Sequence, residues 1–434
     1  MMTALRPYIL FAIVAVLFVA EGTLQNVFFS GSWNVALGLI NMALISGILA
    51  IGVNLQWGFA GLFNIGIMGF VALGGLAAVL ISEPPTPGAW SAGGYQILLA
   101  LVLGAATIVA AVLVRARTTG WVRGLAMLVV LVGGFFVYRA IFDPAVARVE
   151  AINPALEGNL GGLNLPILLA WPVGGLMAAG AAWVIGKTAL GLRSDYLAIA
   201  TLGISEIVIA VLKNEDWLAR GVKNVIGLER PVPNEIDLQN DPAFVERATS
   251  FGMDAVEAST IYVKLSYGLL FTAVLILLLI LAQLALKSPW GRMVRAIRDN
   301  ETAARAMGKN VTARHLQIFI LGSAICGLAG AMMTTLESQL TPASYQPLRF
   351  TFLVWVMVIV GGSGNNFGAV LGGFLIWFLW IKVEPWGAVF LQTVTLPLPD
   401  GDLKTHLLDS AAHMRLFTMG LVLLLVLRFS PRGL

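Results

Sequence analysis

Residues 57–81 read WGFAGLFNIGIMGFVALGGLAAVLI, twenty-five positions without one charged side chain. About 20 apolar residues at 1.5 Å per residue cross the roughly 30 Å hydrocarbon core of a bilayer, so the stretch is long enough to span it as a helix. Six glycines punctuate it: Gly58, Gly61, Gly66, Gly69, Gly74 and Gly75. Such spacing either lets a neighbouring helix approach closely or breaks the helix inside the membrane. Asn54 flanks the run and Asn64 enters it. Amides in lipid are costly unless partnered, which makes both candidates for interhelical contacts or for a solute pathway.

The rest of the chain has the same character. Of 434 residues 58% are apolar and 12% charged, where soluble domains carry about 25% charged residues; mean hydropathy is +0.87. The missing polar coat is what an apolar solvent makes unnecessary. Apolar runs fall at 8–20, 35–53, 57–81, 97–114, 121–142, 165–186, 194–212, 261–286, 315–334, 348–362, 368–383 and 413–428. No strand-like alternation runs long enough for a β-barrel. The expected fold is an all-α polytopic membrane protein with about 10–12 transmembrane helices, some of them broken or re-entrant. Arg6 followed by the run from Tyr8 to Ala20 reads as a first span, since no clean signal-peptide cleavage site follows.

Charge orients these spans. Segment 287–314 carries seven Lys/Arg against two carboxylates, and 213–260 carries five against nine. One span separates them, so the basic loop is expected in the cytoplasm and the acidic one outside. Arg115, Arg117 and Arg123, then Lys187 and Arg193, then Arg428 and Arg432 fall on the cytoplasmic side by the same count. Twelve spans place both termini there. The net charge of +4 therefore serves topology, and nucleic acid is not an expected partner.

Catalytic motifs are missing. GAAWVIGKT, Gly180 to Thr188, has five residues between its glycines where a phosphate-binding loop has four, and it lies at the end of a span. GGSGN around Ser363 lacks the second glycine of a nucleophile elbow. His406 in 384–412 and His413 just past its end stand near Asp400, Asp402 and Asp409, at a scattered spacing that reads as a solvated loop rather than a metal site. Cys326, the single cysteine, reads as a small packing residue. No cofactor, metal or ATP site is expected, and ATP-driven work would fall to a partner.

Segment 288–308, SPWGRMVRAIRDNETAARAMG, reads as one amphipathic helix on the cytoplasmic side. Ser288 suits the N-cap, Pro289 the first helical position and Gly308 the residue just past the end. Met293, Ile297, Ala304 and Met307 share one side; Arg295–Asp299 and Glu301–Arg305 are i,i+4 pairs on the other. Two readings stand: a helix lying on anionic headgroups, or a coupling element docked in a groove of a soluble partner. A second glycine-rich interruption, Gly361 to Gly368, separates the runs at 348–362 and 368–383, so these too read as broken pathway helices, with Ser363 and Asn365 as candidate pathway residues.

Five stretches carry a resemblance: NLQWGFAGLFNIGIMGFVALGG (54–75), LRSDYLAIATLGISEIV (192–208), SPWGRMVRAIRDNETAARAMGKNV (288–311), FILGSAICGLAGAM (319–332) and VIVGGSGNNFGAVLGG (358–373). In this order they resemble the membrane permeases of branched-chain amino-acid ABC importers, of the LivM type. The resemblance implies one permease domain over 1–434, with 213–260 as an external polar insertion and 288–308 as a cytoplasmic coupling helix. It implies a bacterial inner-membrane importer with separate cytoplasmic ATPase subunits, a second homologous permease and an external solute-binding protein.

Glu301, Ala303, Ala304 and Gly308 look like the loose EAA-type loop that docks on the ATPase, at a spacing one residue longer than usual; Arg295 and Arg298 join them as coupling residues. Tyr196 and Glu206 fall in the second stretch, Glu206 within a span as either an internally paired carboxyl or a pathway residue. The chain departs from the pattern in extra spans around 97–142, within 82–164, and in the enlarged segment 213–260. Relatives of this type handle branched-chain amino acids, and similar ones urea, short amides or other small solutes. An ion-coupled secondary transporter is the alternative, with Glu206, Glu337 and Lys264 as its titratable groups; a membrane scaffold is a third.

Overall fold

The structure, a computed structural model, describes residues 2–154, 158–192, 194–430 and 433–434, and of residues 2–7 only the backbone. Arg193, Arg432 and the Arg6 side chain, read above as basic flanks, lie outside the described residues. Helix α1 (Met2–Thr23) leads through a short loop into α2 (Trp33–Val53), whose end widens into a π-helix at Asn54–Phe59. Residues 60–66 are not helical, and α3 (Ile67–Ser82) follows. Then come α4 (Tyr95–Arg117), α5 (Gly120–Glu150), α6 (Ala170–Ala189) and α7 (Ser194–Asn214). Three short helices, α8 (Asp216–Ala219), α9 (Glu235–Asn240) and α10 (Pro242–Ser250), fill the acidic insertion together with β1 (Val225–Ile226). The second half runs α11 (Ala255–Lys287), α12 (Pro289–Asp299), α13 (Glu301–Ala306), α14 (Val311–Glu337), β2 (Gln339–Leu340), α15 (Pro347–Gly361), α16 (Asn366–Thr395), α17 (Asp402–Asp409) and α18 (Met414–Phe429).

Among the described residues nine helices are long and apolar enough to cross a bilayer, and three more apolar helices are shorter, Tyr8–Thr23, Ile67–Ser82 and Pro347–Gly361. Together they occupy the twelve apolar runs. Of the two readings of 57–81, close helix approach or a break, the chain shows the break: the run starts as the π-helical end of α2, unwinds, and restarts as α3. Three boundaries differ from the sequence reading. The interruption at 361–368 is the turn of an antiparallel hairpin between α15 and α16, where Gly361 packs on Gly368 and Gly372 on Met357. Gly362 and Gly364 take positive φ there, +102° and +82°, which side chains with a Cβ rarely adopt. Segment 384–412 is largely helical, with α16 running through Pro385 to Thr395 and His406 on α17. Helix α5 likewise continues through Pro144 to Glu150.

Helix α2 is buried along most of its length, surrounded by α1, α11, α14, α15 and α16. Helix α14 packs on α6, α3 and α2, and α7 packs on α3. Glycine makes the tightest contact possible. A Cβ on Gly174 would lie 3.1 Å from the Cα of Gly74, and one on Gly327 would meet the Ala178 side chain and the Gly174 carbonyl. Three backbones therefore touch where α3, α6 and α14 meet, gaining dispersion contacts that lipid cannot replace. Cys326 packs at the same level, its Sγ against Gly52, as a small residue in a seam.

Helices α4 and α5 pack on each other and leave most of their surface outside the bundle. They are tied in at one end, where the Trp217 N–H donates to Glu150 Oε1 at 3.3 Å and the Leu160 N–H to the Trp217 carbonyl at 3.0 Å. Helix α1 is held by a buried ion pair: Lys382 Nζ lies 3.0 and 2.9 Å from the two oxygens of Glu21, which is fully buried and also accepts from Ser30 Oγ at 2.7 Å. Removing one member of a buried pair strands the other charge at a cost of about 3–5 kcal/mol. Lys382→Met is expected to lower stability by that amount, measured as unfolding temperature in detergent, and Glu21→Gln in the same chain to recover part of it. A single variant as stable as the parent would show that the pair does not hold α1.

The bundle has a basic end and an acidic end. Helices α12 and α13, the end of α2 and the α15–α16 turn meet at the basic end. The insertion 213–260 lies at the other, joined to the chain after α14 by antiparallel pairing of Val225 with Leu340 and Ile226 with Gln339.

Candidate functional site: a coupling element on a broken helix

The segment 288–308 folds as two helices, not one. Ser288 caps α12 through the Gly291 N–H, with Pro289 in the first turn. Asn300 then leaves the helical region at φ −156°, ψ 95°, and its side chain caps α13 by accepting from the Ala303 N–H at 2.9 Å. An amide that competes with the backbone ladder favours a cap over a helix interior, which explains the break. Gly308 ends the element at φ +73°. Met293, Ile297 and Ala304 pack with Val311 as the apolar side, whereas Met307 is exposed.

The charges pair differently from the i,i+4 reading. Glu301 and Arg305 do pair, at 2.6 Å. Arg295 instead donates to the Leu286 carbonyl at 3.1 Å, and Asp299 takes Arg298, whose Nη2 lies 2.9 Å from its carboxylate. The other arm of Arg298 reaches across to α2: its Nη1 donates to the Gly58 carbonyl at 2.5 Å. That carbonyl lies in the last turn of the π-helix, where the backbone acceptors have no intrahelical partner and stay open to outside donors. Glu301, Ala303 and Gly308 are exposed, and Ala304 is buried.

Asn54 lies one turn before Gly58 and is fully buried. Its Nδ2 donates to Asn366 Oδ1 at 2.9 Å and its Oδ1 accepts from the Gly364 N–H at 2.8 Å. It clamps the α15–α16 turn to the end of α2. Asn64 holds the unwound stretch: its Nδ2 donates to Gln56 Oε1 at 2.9 Å, its Oδ1 accepts from the Gly66 N–H, and its carbonyl accepts from Trp355 Nε1 at 3.2 Å. Gln56 Nε2 in turn donates to the Phe319 carbonyl and to Ser323 Oγ of α14, at 2.9 and 3.0 Å. The Ile65 N–H donates to Thr201 Oγ1 of α7, and the Trp355 ring packs on Trp57 and Phe63 at 4.6 and 4.7 Å. The N–H groups of Ile65 and Gly66 and the carbonyls of Gly58 and Asn64 thus find protein partners, as a non-helical segment at membrane depth requires.

These positions correct two readings and refine others. Ser363 and Asn365 are exposed on the α15–α16 turn beside Arg298, and Asn365 caps α16 through the Phe367 N–H. Glu206 is not packed inside: it is exposed on the outward side of α7, as is Tyr196. Sequence reasoning overlooked Gln56, Thr201, Ser323, Trp355 and Asn366. Gln56 was visible as a third amide in the apolar stretch; the others are joined to the break only by the fold.

Beside the break lies a cavity of about 150 Å³ between α2, α3, α14 and α15, lined by Leu49, Met68, Val71, Leu353 and Met357, with Glu337, Ser344 and Tyr345 also on its wall. Burial pushes the Tyr345 phenol up to about 12, so it stays neutral and shares a hydrogen bond of 3.3 Å with Thr334 Oγ1. At the acidic end, the carboxyl of Glu83 is held above its usual range by burial, against an Asn159 amide at 2.9 Å.

A family model described as "Branched-chain amino acid transport system / permease component" matches residues 145–427. The chain belongs to that family. Three relatives illustrate its breadth. The "High-affinity branched-chain amino acid transport system permease protein LivM" of Escherichia coli (strain K12) is 29% identical over 263 residues, 58% of this chain and 56% of that protein. The "Probable branched-chain amino acid transport permease protein LivM" of Methanocaldococcus jannaschii is 26% identical over 311 residues, 71% of this chain and 78% of that one. The "Probable branched-chain amino acid transport permease protein LivH" of the same archaeon is 30% identical over 112 residues, 25% and 35%. The chain spans a little over half the length of its Escherichia coli relative, and no solved structure matches it. Family membership accounts for the helical, polytopic fold; the α4–α5 hairpin lies almost wholly ahead of the matched region.

Proposed function

We propose that the chain is the membrane-spanning permease subunit of an ABC importer for branched-chain amino acids or related small polar solutes. Separate ATPase subunits supply the energy from the cytoplasm. The observation that carries the reading is the bond from Arg298 to Gly58: the exposed element α12–α13 is tied directly to the one helix in the core that is already broken. An interfacial helix lying on headgroups has no need of such a bond.

In this reading the ATPases dock on Glu301, Ala303 and the neighbouring turn that ends at Gly308. Their movement shifts α12 as a rigid piece, because Ile297, Ala304 and Val311 bind it to α13 and α14. Arg298 passes the shift to Gly58, and Asn54 passes it on to the α15–α16 turn. The cavity beside α3 and α15 supplies room for that motion, since close-packed interiors move between discrete packings rather than by continuous bending. By the basic loops, α12–α13 face the cytoplasm of a bacterial inner membrane, and twelve crossings put both termini there. The acidic cap at 213–260 then faces outward, toward a solute-binding protein, and a second homologous permease completes the pathway.

Docking is testable by proximity. With Cys326 replaced by Ala, Ala303→Cys and Met307→Cys, both at exposed positions, are expected to cross-link to a co-expressed cassette ATPase, and Leu421→Cys on the outer side of α18 is not. Cross-linking of neither α13 position in a complex that holds the ATPase would overturn the docking site.

A further inference from the structure

We propose that the cavity between α2, α3, α14 and α15 is a binding site for a small aliphatic α-amino acid, held inside this one subunit with Glu337 set against the ammonium group. The inference rests on the transport reading above and names where the solute sits and what recognises it. The cavity, about 150 Å³, has the size of one that holds a six-carbon ring such as benzene. That is room for a branched aliphatic side chain and its Cα.

The wall has two parts. Met68, Val71, Leu353 and Met357 give it an apolar side next to the broken segment. Glu337, at the end of α14, and Ser344 and Tyr345, in the connection to α15, give it a polar side toward the acidic end of the bundle. Sites for small molecules share this build, mostly apolar with a few polar groups that fix orientation. Urea or a short amide would leave the apolar side uncovered, so the wall selects a solute with an aliphatic body.

The polar groups lack partners of a particular kind. Glu337 is half-buried and is the only charged side chain on the wall, and no hydrogen bond or cationic side chain reaches its carboxylate among the described residues. Ser46 of α2, also on the wall, is 3% exposed, and its hydroxyl has no hydrogen bond among those residues. The indole N–H of Trp377, on the adjoining α16, is buried without an acceptor. Buried polar groups in folded proteins are nearly always paired, and buried charges are paired or neutralised. A carboxylate without a cation and two donors without an acceptor are the complement of an α-amino acid, whose ammonium and carboxylate meet those needs. Tyr345 is already engaged with Thr334, so it shapes the wall rather than reading the solute. The site is also the room into which α3 and α15 repack, so the same movement expels the solute.

The test labels the assembled importer with a diazirine analogue of leucine and maps the modified peptides. Label is expected on the α3 or α15 peptides that carry Met68 or Met357. Leucine should protect them, and 4-methylpentanoate, which lacks the ammonium, about tenfold less well. Glu337→Gln should erase that difference. Ser46→Leu, whose longer side chain enters the cavity and breaks no hydrogen bond, should cut labelling about tenfold without lowering the unfolding temperature. The Glu337→Gln readout does not depend on how well Ser46→Leu folds. Label elsewhere on the chain, or equal protection by leucine and 4-methylpentanoate in the parent, overturns the inference; ATP-driven uptake that stays intact in those cases leaves the transport reading standing. Uptake that needs no ATP, with the label still in the cavity, overturns the transport reading alone.

Discussion

Arg298→Ala is expected to cut ATP-driven uptake by about ten- to a hundredfold while the ATPase subunits stay bound. A hydrogen bond to a charged group contributes about 1.5–3 kcal/mol, and each 1.4 kcal/mol shifts an equilibrium about tenfold. Arg298 spends one arm on the Gly58 carbonyl and the other on Asp299. Removing it frees α12 from the broken end of α2, so motion of the element no longer reaches the Asn54 clamp. Lysine restores the charge but not the fork that serves two partners at once, so Arg298→Lys should remain well below the parent. The readout is solute moved per ATP hydrolysed in proteoliposomes. A ratio equal to the parent's would show that the Arg298–Gly58 bond transmits nothing.

Gly74→Val is expected to prevent accumulation of folded protein. A Cβ at that position falls within bonding range of the Gly327 carbonyl and 2.9 Å from the Ala331 N–H nitrogen. Both are backbone atoms of α14, so no side chain can swing aside. Overpacking in a core that can adjust costs about 1–3 kcal/mol; here three helices must separate, at a cost of the order of the whole 5–15 kcal/mol that stabilises a typical domain. Gly180→Val on α6 is the control, because nothing lies within 4 Å of its Cβ and only the small helix-propensity term changes. Comparison of the monodisperse fraction of the two variants in detergent decides the matter, and equal yields would contradict the three-helix seam.

Much of this architecture was legible because lipid imposes a simple rule on composition: long, mainly apolar runs become helices, and the twelve runs did, 57–81 in two pieces. The caps at Ser288 and Gly308 were readable for a similar reason, since each depends on residues within one turn. What escaped depends on contacts distant in sequence. The glycines and Asn64 of 57–81 signalled a break without giving its extent; residues 60–66 stay unwound because Gln56, Ser323, Thr201 and Trp355 give partners to backbone and side-chain amides there. The Arg295–Asp299 pair looked natural on a single continuous helix. Asn300 ends α12 at Asp299, and Arg298 takes that carboxylate because it lies nearer while also meeting Gly58. Glu206 was open to two readings, an internally paired carboxyl or a pathway residue; among the described residues it has no internal partner, because α7 turns it outward, and which way a mid-span residue faces depends on the fold.

The most direct measurement is flux into proteoliposomes that hold this chain with its ATPase and homologous permease, supplied with solute-binding protein and a branched-chain amino acid. Accumulation is expected to require hydrolysable ATP on the ATPase side and to persist when the proton gradient is collapsed. Uptake that continues without ATP and disappears with the gradient would mark an ion-coupled transporter instead.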